Sequence, residues 1–290
     1  MAYPLEHHRV PTNGIHLHVV QCGPAAGPLV ILLHGFPEFW YGWRHQLGAL
    51  AAAGFRVWAP DQRGYNLSDK PRRVRDYAID QLAADVLGLI DAAGRETAAV
   101  VGHDWGAAVT WHLAAHFPNR IQRAVVLNVP HPQVLAGALI RQPRQLLKSW
   151  YVFFFQLPWL PETLVRLRGW WVARRALRSS SRPGTFGDAD LAIYQAAWAQ
   201  PGAMRGMINW YRAAARFAGR LGETGRVAVP LRIIWGKNDA FLNANLAQQS
   251  LAFCDAGRLT YLNATHWVQH EAAAEVNELL IDFLQEQPSS

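Results

Sequence analysis

The sequence predicts an α/β fold, a mostly parallel sheet covered by helices on both faces and interrupted by one long helical insertion. Three observations carry that expectation. Short, continuously apolar runs alternate with helical patterns, which is how strands buried on both faces read. One such run, ending at Val100-Val101, passes straight into Gly102-His103-Asp104-Trp105-Gly106 and then a helix, a sharp strand-to-helix turn that needs small residues where backbones come close. After Pro130 the alternation stops, and it resumes only at Leu231.

Taken in order, the opening runs His8–Val10 and Ile15–Cys22 flank Asn13-Gly14, a favoured hairpin dipeptide, so the chain begins with antiparallel strands. Apolar runs follow at Leu29–Leu33, Phe55–Ala59, Ala98–Val101 and Ala124–Leu127, separated by helical patterns at Gln46–Ala53, Ile79–Ala93 and Ala107–Phe117. From about Pro132 to Val227 the sequence is rich in Trp, Arg and Pro and has no strand-like runs. Strands return at Leu231–Trp235 and Leu259–Leu262, and a last helix covers Ala272–Gln285. The eight runs make an eight-stranded sheet. The expected division is a core of residues 1–131, a helical cap of 132–227 over the sheet's C-terminal edge, and the rest of the core at 228–290.

Composition narrows the class. The chain has 290 residues, 51% of them apolar, enough for a large core. Cys22 and Cys254 are far apart and belong to no Cys-x-x-Cys motif, so neither a disulfide framework nor a structural zinc is expected. No signal-like h-region and no long uninterrupted apolar window occur, giving a soluble, cytoplasmic expectation without an integral membrane span. The formal charge of +7 is concentrated in the insertion, where Gln133 to Arg226 holds 14 Lys or Arg against 4 Asp or Glu. That excess reads as a solvated basic segment or as attraction to anionic membrane surfaces. No nucleic-acid-binding motif accompanies it, so nucleic acid is not an expected partner.

The chemistry centres on Asp104. Its setting resembles the nucleophile elbow of the α/β-hydrolases, with Asp where Ser usually stands. A Ser that displaced a leaving group from an sp³ carbon would leave an ether, which activated water cannot cleave. An Asp leaves an ester, which it can. Asp104 therefore points to carbon electrophiles such as epoxides or alkyl halides. Chain order supplies the partners: Asp239 and His266 each follow a strand end, in the order nucleophile, acid, histidine. His266 is the expected general base toward water, worth roughly 10²–10⁴ in rate, with Asp239 orienting it. Asn128, at the alternative position for the acid, is no carboxylate. The loop His34-Gly35-Phe36-Pro37 offers the Phe36 N–H, which with that of Trp105 would form an oxyanion hole. His34 and His103 read as structural. His112 and His116 stand four apart on a helix, but a metalloprotease glutamate and a third ligand are missing, so they read as packing and no metal is expected. No phosphate loop or dinucleotide motif appears, and no cofactor is expected.

Over nearly its whole length the chain resembles the epoxide hydrolases of the α/β-hydrolase superfamily, through His34-Gly35-Phe36-Pro37-Glu38, Asp61-Gln62-Arg63-Gly64-Tyr65, His103-Asp104-Trp105-Gly106 and Thr265-His266-Trp267-Val268. The resemblance implies two cap tyrosines that hold the epoxide oxygen, and Tyr151 and Tyr211 are their counterparts. Phenols suit the task, because a neutral donor with a reference pKa near 10 can bond the oxygen first and release a proton later. A pocket bounded by Phe36, Pro37, Trp105 and Trp267 is implied too, as is a homodimer through the cap. Trp150, Trp159, Trp170, Trp171, Trp198 and Trp210 point to a small apolar or aromatic epoxide, though most are expected to pack the cap itself. Haloalkane dehalogenases share Asp104, Asp239, His266 and the Trp after the nucleophile, and are the main alternative. They typically carry Asn where this chain has Phe36, and they lack the tyrosine pair. Fluoroacetate dehalogenases have Arg where Trp105 stands. A catalytically silent ligand receptor on this fold is a third class, and such proteins often lose a catalytic member.

Overall fold

A computed structural model describes residues 3–217 and 224–286. Eight strands, β1 (Glu6–Thr12), β2 (Ile15–Cys22), β3 (Leu29–Leu33), β4 (Arg56–Pro60), β5 (Ala98–His103), β6 (Ile121–Leu127), β7 (Leu231–Gly236) and β8 (Gly257–Leu262), form one sheet in the order β1-β2-β4-β3-β5-β6-β7-β8. The pairs β1/β2 and β2/β4 are antiparallel and the rest are parallel. Asn13 and Gly14 make the first hairpin, both at positive φ.

Alternation along the strands divides the core in two. Ile31, Leu33, Val100, Val126 and Ile233 face one side, with helices α2 (Ile79–Ala92) and α3 (Trp105–His116) packed there. Val30, Leu32, Val101, Val125 and Ile234 face the other. There α1 (Arg44–Ala52) brings Leu47 and Leu50, and the last helix brings Val276, Leu280 and Phe283. Every residue of β3 is buried, so an apolar run with no polar alternation becomes a central parallel strand.

Strand limits differ from the expectation where polar residues still pair. β6 begins at Ile121 rather than Ala124, because Arg123 keeps its backbone in register with Ala99 while its guanidinium lies over the Phe283 ring at 5.1 Å. β5 extends through Gly102 and His103, and α3 starts immediately after Asp104 instead of at Ala107.

Between β6 and β7 the described elements are all helical: α4 (Pro132–Arg141), α5 (Pro143–Lys148), α6 (Trp150–Phe154), α7 (Leu160–Ser180, broken by non-helical backbone at Leu167, Arg168, Gly169 and Trp170), α8 (Asp188–Trp198) and α9 (Ala203–Arg216). They rest on the loops that follow the strands. The Trp198 indole donates to the Pro37 carbonyl at 2.6 Å, and the Trp210 indole to that of Arg63 at 2.9 Å. After β7 come α10 (Asn245–Ser250), α11 (Val268–Glu271) and α12 (Ala273–Gln285). Among the described residues no helix is long and apolar enough to cross a membrane.

Candidate active site

The turn after β5 puts Asp104 at φ 50° and ψ −121°, in the left-handed half of backbone space that a non-glycine residue adopts only under constraint. Its glycine neighbours make that possible. A Cβ at Gly106 would lie 2.0 Å from the Leu33 carbonyl oxygen, and one at Gly102 would lie 2.3 Å from that of Gly106. Gly35 is tighter in its consequence, since a Cβ there would sit 2.2 Å from the Asp104 Cβ. The loop after β3 therefore lies directly beside the carboxylate, and the Phe36 N–H donates to Asp104 Oδ1 at 2.7 Å. Trp105 occupies the first position of α3, where a backbone N–H has no partner within the helix.

Parallel pairing of β5, β6, β7 and β8 gathers their C-terminal ends, and the side chains just beyond them converge. The His266 Nδ1–H donates to Asp239 Oδ2 at 2.8 Å, and its Nε2 stands 3.6 Å from Asp104 Oδ2. Asp239 is fully buried and well supplied with donors: Phe241 and Leu242 N–H at 2.7 and 2.9 Å on Oδ1, and Asn128 Nδ2 at 2.7 Å on Oδ2. Burial alone would raise its pKa, but the His266 charge and these donors hold it below the usual value. For His266, burial alone would lower the pKa. The carboxylates of Asp239 and Asp104 outweigh it, raising the imidazole to about 10.

Tyr151, on α6, and Tyr211, on α9, meet with ring centroids 5.9 Å apart and planes at 80°. Tyr211 is buried and packs edge-on against Phe36 at 5.3 Å and Trp105 at 5.0 Å, so it stands over the nucleophile loop. Burial first, then the Asp104 charge, pushes both phenols well above their ordinary value. Both thus stay protonated donors beside a carboxylate.

The remaining sequence candidates separate. Pro37 is partly buried on the loop after β3. Trp267 is buried against His266, His103 and Phe186 and donates to Ser180 Oγ at 3.0 Å, and its ring contacts do not include the tyrosine pair. His34 Nε2 accepts from the Gln62 N–H, ordering the loop. His112 and His116 stack at 4.2 Å on α3. Of the six tryptophans between β6 and β7, Trp170, Trp198 and Trp210 are buried, whereas Trp150, Trp159 and Trp171 are exposed, so the expectation that most would pack inside meets only half of them.

Sequence reasoning passed over three groups. Asn128, set aside as no carboxylate, bonds the acid itself; it also accepts from the Gly236 N–H at 2.9 Å, tying β6 to β7. Phe155 and Phe241 complete the aromatic wall, at 4.8 Å from the Tyr211 ring and 5.1 Å from the His266 ring. Glu38 is a buried carboxylate that accepts from Tyr194 Oη at 2.6 Å, His270 Nε2 at 2.7 Å and Gln269 Nε2 at 2.9 Å. Gln269 also donates to His103 Nδ1, whose Nε2–H in turn donates to the His266 carbonyl at 2.9 Å. An acid directly after Pro37, at the end of the motif His34-Gly35-Phe36-Pro37-Glu38, was the available signal for Glu38.

Residues 28–273 match the α/β hydrolase fold family. The chain is 47% identical to the AB hydrolase superfamily protein YfhM of Bacillus subtilis over 280 residues, covering 96% of this chain and 97% of that protein. It is 37% identical to human Epoxide hydrolase 4 over 286 residues, covering 96% and 78%. The crystal structure of Epoxide Hydrolase A from Mycobacterium thermoresistibile superimposes with a TM-score of 0.86 at 30% identity, covering 99% of this chain and all of that one. The profile match, the sheet order and the turn at Asp104 agree, and the chain belongs to the α/β hydrolase fold family, where it is similar to epoxide hydrolases.

Proposed function

We propose that the protein is an epoxide hydrolase that adds water to an apolar or aromatic epoxide and releases a vicinal diol. The observation that carries this reading is the pair of tyrosines in edge contact, with Tyr211 packed on Phe36 and Trp105, which flank the Asp104 carboxylate on its strained turn. An alkyl halide needs no proton donor at its leaving group, whereas an epoxide oxygen does.

In the proposed cycle, Asp104 attacks a ring carbon while Tyr151 and Tyr211 hydrogen-bond the oxygen and one of them delivers a proton to it. The C–O ring bond breaks and a hydroxyalkyl ester forms on Asp104. Alkylation also removes the Asp104 charge, one of the influences that raise the His266 pKa. The imidazolium proton then passes to the tyrosinate, and the neutral imidazole takes a proton from water as the oxygen attacks the ester carbonyl. The Phe36 and Trp105 N–H groups stabilise the oxyanion, each such donor being worth roughly 10²–10³ in rate. Collapse frees the diol and restores Asp104, and the proton taken from water leaves His266 charged as at the start. Residues 132–227 serve in this reading as a cap that brings the tyrosines over the core. The similarity to proteins named epoxide hydrolases supports the same assignment.

Two measurements test it. Wild-type protein given racemic styrene oxide and, separately, 1,2-dibromoethane should release diol with little bromide; bromide without diol would make the chain a dehalogenase with Trp105 as halide donor. A His266→Gln variant exposed to the epoxide should accumulate the ester, seen as a mass increase equal to the substrate. An unmodified intact mass would sink the covalent route.

A further inference from the structure

The helices between β6 and β7 turn an unusual surface outward. Fifteen large apolar side chains are exposed among the described residues, and ten of them fall between Ile140 and Val172. Ile140 is 85% exposed, Leu147 73%, Trp150 64%, Phe153 60% and Trp159 71%. Single exposed apolar residues need no explanation, but this density in one run of short helices does. The same stretch is strongly cationic. From Ile140 to Arg178 there are eight Lys or Arg and a single acid, Glu162, whose carboxylate is held by Arg212 at 2.6 Å; Arg174 and Arg178 pair with Asp188 at 3.0 and 2.7 Å, and Lys148 donates to the Asp239 carbonyl at 3.2 Å. Arg168, Trp171, Arg174, Arg175 and Arg178 line an open groove of about 410 Å³, with the Arg175 guanidinium over the Trp171 ring at 5.4 Å.

We propose that this face docks the protein on an anionic lipid bilayer. Trp, Phe and Leu beside Arg is the chemistry of an interfacial surface: rings and aliphatic chains enter the headgroup boundary while guanidinium groups pair with phosphates. Charge selects the occupant. Two copies joined through this face by a two-fold axis would set Arg141, Arg144, Arg166, Arg168 and Arg175 against the same five, whereas an anionic surface complements them. The α6 helix joins docking to the interior, because Trp150 and Phe153 face outward while Tyr151 and the following Phe155 reach the cluster around Tyr211. Docking is independent of the epoxide chemistry and can be read with no substrate present.

Sedimentation with vesicles tests the proposal. The full chain should pellet with vesicles of equal parts phosphatidylcholine and phosphatidylglycerol, and should remain in the supernatant with phosphatidylcholine alone. Arg141→Glu/Arg144→Glu and, separately, Leu147→Ser/Trp150→Ser should each lower the partition coefficient at least about tenfold, with unchanged thermal melts. A wild-type protein that ignores the anionic vesicles at low salt overturns the proposal. So does charge reversal without effect, and so does a dimer dissolved by Leu147→Ser/Trp150→Ser in a protein that does not pellet, which would make the face a self-association surface.

Discussion

At the scale of single residues, the charge on His266 and the donor on Asn128 lead to separate outcomes. The imidazole pKa is raised from 6.5 to about 10, with burial opposing the charge and Asp239 and Asp104 outweighing it. A pKa raised on folding adds stability that is complete below 6.5 and is lost as pH climbs through about 10. The melting-temperature advantage of wild type over His266→Gln should therefore shrink across that window; a constant difference would show that the imidazole is not charged in the resting protein. Asn128 acts through Asp239 and touches no reacting atom. Replacing it with Ala removes a donor to a buried carboxylate, a loss of about 1.5–3 kcal/mol for a bond to a charged group. The expected result is an ester that forms at the wild-type rate but hydrolyses roughly tenfold to a hundredfold more slowly, measured by rapid-quench mass spectrometry. Equal slowing of both steps would mean a general distortion instead.

At the scale of elements, the two tyrosines depend on how α6 is fastened to α9. Arg212, next to Tyr211, does most of that work. Its Nε donates to the Phe155 carbonyl at 3.1 Å, Nη2 to that of Leu157 at 2.6 Å, and the fork grips Glu162 at 2.6 and 3.1 Å. Gln156 adds a bond to the Tyr211 carbonyl at 3.1 Å. A planar fork can meet this set of acceptors and an ammonium cannot. Arg212→Lys should thus keep its helicity by circular dichroism yet slow ester formation at least tenfold. Ester formation at the wild-type rate would show that the α6 geometry does not need the fork. The turn at Asp104 is the second such element. Gly35→Ala would drive a methyl into Asp104, so a loss of about 1–3 kcal/mol in stability is expected together with loss of ester formation. Chemical denaturation and intact mass would measure the two effects.

At the scale of the molecule, Glu38 joins parts that are distant in the chain. It lies on the loop after β3, accepts from Tyr194 on α8 and His270 on α11, and reaches the His266 carbonyl through Gln269 and His103. One buried carboxylate thereby couples the loop after β3, the segment carrying His266 and the inserted helices. Glu38→Gln keeps the shape but turns one acceptor oxygen into a donor, leaving a buried donor facing donors, at a cost of about 1–3 kcal/mol. A lower melting temperature and a slower hydrolysis step are expected, since the His266 backbone loses a support. A variant that melts and turns over like wild type would reduce Glu38 to a packing residue.

Much of this architecture is legible in the chain alone. Leu29–Leu33 and Ile15–Cys22 are strands with the limits their apolar runs suggest, and the Gly-x-Asp-x-Gly turn marks Asp104, because strand, turn and helix signals come from neighbouring residues. Strand-end position likewise singled out Asp239 and His266. The groups that support those residues were not legible. Asn128 meets Asp239 across 111 positions because β6 and β7 are adjacent in the sheet, and Glu38 meets His270 across 232 because two loops close over the same edge. Which tryptophans of the insertion are buried was equally hidden, since helices there are short and their faces are set by what they pack against. Local chemistry determines where the chain turns and where a nucleophile can stand; the company each side chain keeps is decided only when the sheet order and the inserted helices bring distant segments together.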